Sequence, residues 1–387
     1  MQSNQWIHAV DIFRRLGGRL FLAAILLAIL FASNTGAAFA DGDRAGAVYV
    51  MTNAADGNAV LVFERAADGT LAEVGTVSTG GLGAGAGLGS QGALVLSENQ
   101  RWLFAVNAGS NEISVFAARR SGLRLVDTVA SGGEMPISLT FHGNLLYVLN
   151  AGGSGNITGF TIARNGRLSP LPGSTQPLSN GGAGVAPGPA QVSFTPDGRQ
   201  LVITEKASNS ILTYLVGADG LASAPAVHPS AGTTPFGFDF SQHRYLIVSE
   251  AFGGAADASA VSSYELGRDN LQVVSPSIPT HQTAACWVVV TDNGKYAYTT
   301  NTGSGSVSGY RVSHDGTLTL LDADGRTGDT GAGSTPIDAA LSRNSRYLYV
   351  LNSGTHTVAA FQINGDGSLV PLGEVGIPAG SVGIAAR

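Results

Sequence analysis

The chain has 387 residues, 12% of them charged, a net charge of −6 and a single cysteine, Cys286. Lys206 and Lys295 are the only lysines and no basic run occurs. Binding to nucleic acid or to an anionic membrane needs a concentrated positive field, so the composition argues against both, and one cysteine excludes an intrachain disulfide.

The first forty residues read as a secretory signal peptide. Arg14, Arg15 and Arg19 form a positive start, residues 20–32 are a continuous apolar run, and Ala38-Phe39-Ala40 is an A-x-A cleavage site before Asp41. The apolar run is short for a membrane span, and no other long one follows. The expected protein is therefore exported, periplasmic or extracellular, with no membrane association after cleavage. Residues 41–387 form one domain, and removing the leader leaves them more acidic still.

From residue 48 onward one motif recurs seven times: an apolar strand ending in a polar residue, a small polar turn, a second strand, then an Asp-Gly-like turn. The copies are VYVMTNAADGNAVLVF (48–63), RWLFAVNAGSNEISVF (101–116), NLLYVLNAGGSGNITGF (144–160) and RQLVITEKASNSILTY (199–214). They continue with RYLIVSEAFGGAADASAVSSY (244–264), KYAYTTNTGSGSVSGY (295–310) and RYLYVLNSGTHTVAAF (346–361). About 50 residues per copy, nearly all strand and turn, is the scale of a β-propeller blade.

Each copy is preceded or completed by a short apolar run that suits an innermost strand: 91–96, 136–141, 189–194, 235–240, 285–290, 336–341 and 381–386. Proline opens four of them, where a missing donor is tolerated. The first motif has no inner strand before it, and the chain ends on one. The expected fold is all-β, a seven-bladed propeller whose ring is closed by the C-terminal strand, which removes the unpaired edges between the first and last blades. Asp68-Gly69, Asn165-Gly166, Asp219-Gly220, Asp315-Gly316 and Asp366-Gly367 supply the positive φ of tight hairpins. The Gly-rich stretches 80–92, 181–188 and 328–333 each lead into a strand rather than a helix. They read as interblade connections, not as phosphate loops.

Ring geometry places the starts of the inner strands and the ends of the second strands around one channel mouth, the default ligand pocket. The second strands end in Asn107, Asn150, Glu205, Glu250, Asn301 and Asn352. The asparagines suit Asx turns. Glu205 and Glu250 break that pattern. At the third position of the inner strands stand Gln191, Trp287 and Asp338. The expected mouth set is therefore Glu205, Glu250, Gln191 and Asp338, with Trp287 as a stacking surface and His281 just before the fifth complete inner strand. Cys286 reads as a small buried hydrophobe. No G-x-S-x-G elbow, H-E-x-x-H or paired Cys/His set occurs, so no serine hydrolase, metal centre or other cofactor is expected.

The YVLN-type strand ends and the turns Thr195-Pro196-Asp197-Gly198 and Thr291-Asp292-Asn293-Gly294 make the chain resemble the lactonase family of seven-bladed propellers. That family includes bacterial 6-phosphogluconolactonase and fungal carboxymuconate-lactonizing enzyme. The chain also resembles the broader YVTN-repeat propellers. The resemblance implies a hydrolase acting on a sugar or aromatic lactone, with Glu205 as general base and Gln191 and backbone N–H groups as oxyanion donors. The family's His and Arg at the second or third inner-strand positions are absent, and Gln191 stands where a His is expected. Two functions remain open: an exported lactone hydrolase, or an exported non-enzymatic propeller that binds a ligand or a protein partner. Oligomeric state is not readable.

The leader reading has a direct check. N-terminal sequencing of the exported protein should give Asp41 as the first residue; soluble protein that retains Met1 would contradict it.

Overall fold

The computed structural model describes residues 46–387 except 242, 243 and 269. The leader therefore lies outside the described residues. The structure is a ring of seven antiparallel sheets, each running outward from an innermost strand. The inner strands are Leu94–Leu96, Pro136–His142, Pro189–Phe194, Pro235–Ser241, Ala285–Val290, Pro336–Leu341 and Val382–Ala386. Blades are numbered here by their second strands, so blade 1 holds Gly46–Met51 and blade 7 holds Tyr347–Asn352. In blades 3 and 6 the outermost strand is split in two. Among the described residues the only helical element is a 3₁₀ turn, Phe252–Gly254.

Closure follows the expected route. Val382–Ala386 pairs antiparallel with Gly46–Met51, with Tyr49 opposite Ala385 and Val50 opposite Ile384. Arg65, on the next strand of blade 1, donates from Nη2 to the Arg387 carbonyl oxygen at 3.2 Å. The last strand of the chain is thus the inner strand of its first blade.

Two sequence motifs explain each other across the blade interfaces. In blades 3, 6 and 7 a fully buried tyrosine of the second strand reaches the hairpin of the next blade. Tyr147 donates to the Gly220 carbonyl at 2.8 Å, Tyr298 to Gly367 at 2.8 Å and Tyr349 to Gly69 at 2.9 Å. A buried tyrosine hydroxyl needs such a partner. The hairpin glycine is required twice over. Gly69 has φ +91°, and a Cβ there would lie 2.4 Å from the Tyr347 ring of the preceding blade. Gly367 repeats this, with φ +93° and the Tyr296 ring at 2.5 Å. The Asp-Gly turn is therefore both a tight hairpin and a flat seat for the neighbour's aromatic ring.

Deleting residues 380–387 should lower the melting temperature of the whole domain. It removes a strand that holds blade 1 and exposes an apolar edge. A truncated protein that melts with the intact one would show that the ring does not depend on this closure.

Candidate functional site

The innermost strand of every blade has one edge paired with the second strand and one edge facing the channel. The backbone groups on the channel edge need partners, and side chains of neighbouring blades supply them. The Ser138 hydroxyl accepts from Val192 N–H at 3.1 Å, and that of Thr140 from Phe194 N–H at 2.8 Å. Gln191 pairs with both backbone groups of Phe238: its Oε1 accepts the N–H at 2.7 Å and its Nε2 donates to the carbonyl at 3.0 Å. Asp239 Oδ2 accepts Val290 N–H at 2.8 Å, and Asp338 Oδ2 accepts Ile384 N–H at 3.2 Å. This belt of polar side chains joins blade 3 to 4, 4 to 5, 5 to 6, and 7 to 1.

The mouth is not an open pocket. The sequence suggested an inner strand from residue 91, but the strand starts at Leu94 because the preceding residues cross the channel. Gln91 donates its backbone N–H to Ala190 of blade 4 at 3.1 Å. Its side chain pairs with Val288 of blade 6, donating at 2.6 Å and accepting at 3.0 Å. Trp287 Nε1 donates to the Ser90 carbonyl at 2.9 Å, and Lys206 Nζ donates to the Gly89 carbonyl at 2.6 Å. A segment bonded to blades 4 and 6 at once lies over the axis. Residues 89–92 form a strap that closes the channel on this face. Gly237 makes room for it, since a Cβ there would sit 2.1 Å from Gln91 Oε1.

The expected mouth residues are placed differently from the sequence reading. Glu205 and Gln191 do not meet. Glu205 is fully buried and accepts Ser179 N–H at 3.0 Å, the Ser179 hydroxyl at 2.5 Å and the Ser208 hydroxyl at 2.6 Å. Glu250 is fully buried too, accepting from Gly232 N–H at 2.8 Å, Ser262 at 2.5 Å and Ser277 at 2.7 Å. These bonds suit a carboxylate, which only accepts: at each glutamate a backbone N–H and two serine hydroxyls donate to it. In blade 6, by contrast, Asn301 donates to the hydroxyls of Ser306 and Ser308. A carboxylate so enclosed is a joint between strand and loop, which argues against Glu205 as a channel base. Trp287 packs on Phe236, ring centroids 4.8 Å apart, and is 5% exposed, so it seals the channel rather than offering a stacking face. His281 is exposed, at a left-handed backbone position just before the strand. Cys286 is buried, and burial pushes its thiol up to about 11.

Below the strap a cavity of about 360 Å³ follows the channel from Gln91 and Gly92 to Leu341 and Ala386. Its lining sets the polar groups of Gln91, Thr140, Gln191, Ser193, Asp239 and Asp338 among apolar side chains. Of the expected residues the cavity brings together Gln191 and Asp338; it adds Asp239, which the sequence reading missed. Asp239 is the fifth residue of PFGFDF, on the same strand face as the third positions that were considered. Asp338 is 4% exposed, and burial pushes its carboxyl up to about 8 against two backbone N–H bonds, from Ala339 and Ile384. Asp239 is half-buried. Desolvation raises it to about 6, again opposed by two backbone N–H bonds, from Val290 and Phe240. Both carboxyls in the cavity are thus raised above the ordinary carboxylate range by desolvation, Asp338 further than Asp239. Lys206 was also missed, although it stands one residue beyond Glu205 and so projects to the opposite side.

The fold and this channel define a seven-bladed propeller, and the family model for the lactonase seven-bladed β-propeller matches residues 38–179 and 251–383. The chain belongs to that family. No curated protein sequence matches it. A Bacteroides uniformis protein provisionally assigned as a 6-phosphogluconolactonase has a similar structure, with TM-score 0.70 and 19% identity over 88% of this chain and 99% of that one. A periplasmic gluconolactonase of Pseudomonas aeruginosa has TM-score 0.65 and 17% identity over 86% and 97%. These likenesses carry the fold alone. The stretch between the two family matches holds blade 4 and the first half of blade 5, with Gln191, Glu205, Lys206, Asp239 and Glu250.

The joint role of the buried glutamates is testable by urea unfolding. Glu250→Ala should cost about 1–3 kcal/mol for each donor it orphans. Glu250→Gln keeps an acceptor for Gly232 and should cost less. Unfolding midpoints unchanged in both variants would contradict the assignment.

Proposed function

We propose that this is an exported lactonase-family propeller that hydrolyses a small lactone in the channel cavity, with Asp239 as general base and Asp338 as proton-bearing acid. The observation that carries the reading is that two carboxyl groups of different proton affinity line one cavity. Environments that push two carboxyls apart in this way assign acid and base roles. The cavity volume lies within the range of roughly 300–1,000 Å³ common to small-molecule sites. Family membership supports the reaction class, and the leader supports export.

The chemistry follows from the two protonation states. The Asp239 carboxylate takes a proton from water as its oxygen attacks the lactone carbonyl carbon. The Asp338 carboxyl keeps its own O–H to donate while its oxygens accept backbone N–H groups, so it stabilises the oxyanion. Collapse breaks the ring C–O bond. Asp239 returns its proton to the leaving alkoxide, and a hydroxy acid results. Asp239 stands at the fifth inner-strand position and Asp338 at the third, two residues or about 7 Å apart along the channel. That offset leaves room for a carbonyl and a water between them.

A non-enzymatic binding role is the second reading. It is favoured by the same backbone bonds, since both aspartates also join blades. Kinetics on a panel of sugar and aromatic lactones separates the two. The base must be ionised, so the rate should rise with pH through about 6. The acid must be protonated, so the rate should fall through about 8, giving a bell. Asp239→Asn should lower turnover by about 10²–10⁴-fold, the range for loss of a general base, with the fold intact by circular dichroism. Turnover that survives this substitution would move the base elsewhere. No turnover on any lactone would leave the binding role.

A further inference from the structure

The strap closes one end of the channel cavity, and the other end is the wetter one. Near the strap the lining residues Gln191 and Asp338 are buried, whereas toward the opposite face Val95, Ser193, Asp239 and Leu341 are half-buried. A ligand therefore meets the cavity from the face opposite the strap, passing Asp239 before Asp338. Among the described residues no lysine, arginine or histidine lines this space. The sequence gives the same result strand by strand: none of the seven inner strands has a basic residue at its third or fifth position, the side that faces the channel. Side-chain N–H donors in the lining are confined to the amides of Gln91 and Gln191, and each already donates to a backbone carbonyl, of Val288 and Phe238. Basic residues at the far strand ends are engaged elsewhere. Arg387, next to Ala386, donates from Nη2 to the Arg119 carbonyl at 3.0 Å and lies over the Tyr49 ring. His142, next to Phe141, has Nδ1 2.9 Å from Glu98 Oε1. The ionisable groups of the cavity are thus two aspartates and no cation. An anion brought there gives up its hydration and gains no counter-charge.

We propose that the channel cavity selects an uncharged lactone and rejects a phosphorylated or carboxylated one. Neutral hydroxyl and carbonyl groups suit the polar groups present. Thr140 accepts the Phe194 N–H and keeps its own O–H to donate, and the aspartates accept from ligand hydroxyls. A phosphate dianion or a carboxylate would instead meet Asp239 at the open end, like charge against like charge, which is how a site discriminates against a wrong partner. That the ligand is a lactone rests on the lactonase reading; the rejection of anions rests on the cavity alone.

Isothermal titration with glucono-δ-lactam and its 6-phosphate ester as probes tests this without turnover. The wild-type protein should bind the unphosphorylated lactam more tightly by about tenfold or more, the worth of one charged contact. Ser193 lies in the half-buried part of the lining and donates only to the adjacent Phe194 carbonyl, so replacing it breaks no bond between blades. Ser193→Lys places a cation there and should narrow the gap between the two probes by about tenfold. Ser193→Met, similar in length but uncharged, should leave the gap as it is, which separates charge from shape and from misfolding. Equal affinity for both probes, tighter binding of the phosphate ester, or binding of neither would overturn the proposal. So would a gap that the lysine and methionine variants change alike. If no lactone is turned over but the uncharged lactam is still preferred, the catalytic reading fails and this one stands.

Discussion

Seven inner strands converge on one axis, and each presents an unpaired edge there. That constraint governs the rest of the molecule. A free strand edge inside a protein must find hydrogen-bond partners, and this chain provides them with side chains from the adjacent blade. Ser138, Thr140, Gln191, Asp239 and Asp338 are the visible result. The strap is a further answer to the same need, because Gln91 pairs with Val288 as a short strand would. Side chains that complete the channel edge also become its lining. Desolvated there, the two aspartates hold protons more tightly than an exposed carboxyl does.

The architecture was largely legible because it repeats. Blade count, strand order and the closing C-terminal strand follow from the repeat itself: an apolar strand with a polar end, an Asp-Gly-like hairpin and a short apolar inner run. The candidate site was less legible, for reasons of register. The last residue of a second strand and the one after it project to opposite sides, so reading Glu205 as the mouth residue hid Lys206. Counting only the second and third inner-strand positions hid Asp239 at the fifth. The strap was harder still. A glycine-rich stretch carries no pattern that says where it will lie, and its course depends on Trp287, Lys206 and Gln91 finding partners far apart in the sequence.

The departures from the family model fall together. Blade 4 and half of blade 5 lie between the two matched stretches, and they hold the buried Glu205, the strap-holding Lys206 and the channel-lining Asp239. The interblade hooks of Tyr147, Tyr298 and Tyr349 lie in the second strands of blades 3, 6 and 7 and keep the ring rigid. A rigid ring can carry new polar groups in one quadrant without losing its shape, which is how a shared scaffold accommodates a different constellation.

The most direct test of the channel as the reaction site is a crystal structure with a lactam analogue of the sugar lactones, which the protein cannot open. The account predicts the analogue below the strap, with its carbonyl oxygen within hydrogen-bond distance of Asp338 and a water held by Asp239. An analogue seated above the strap, away from both aspartates, would contradict it.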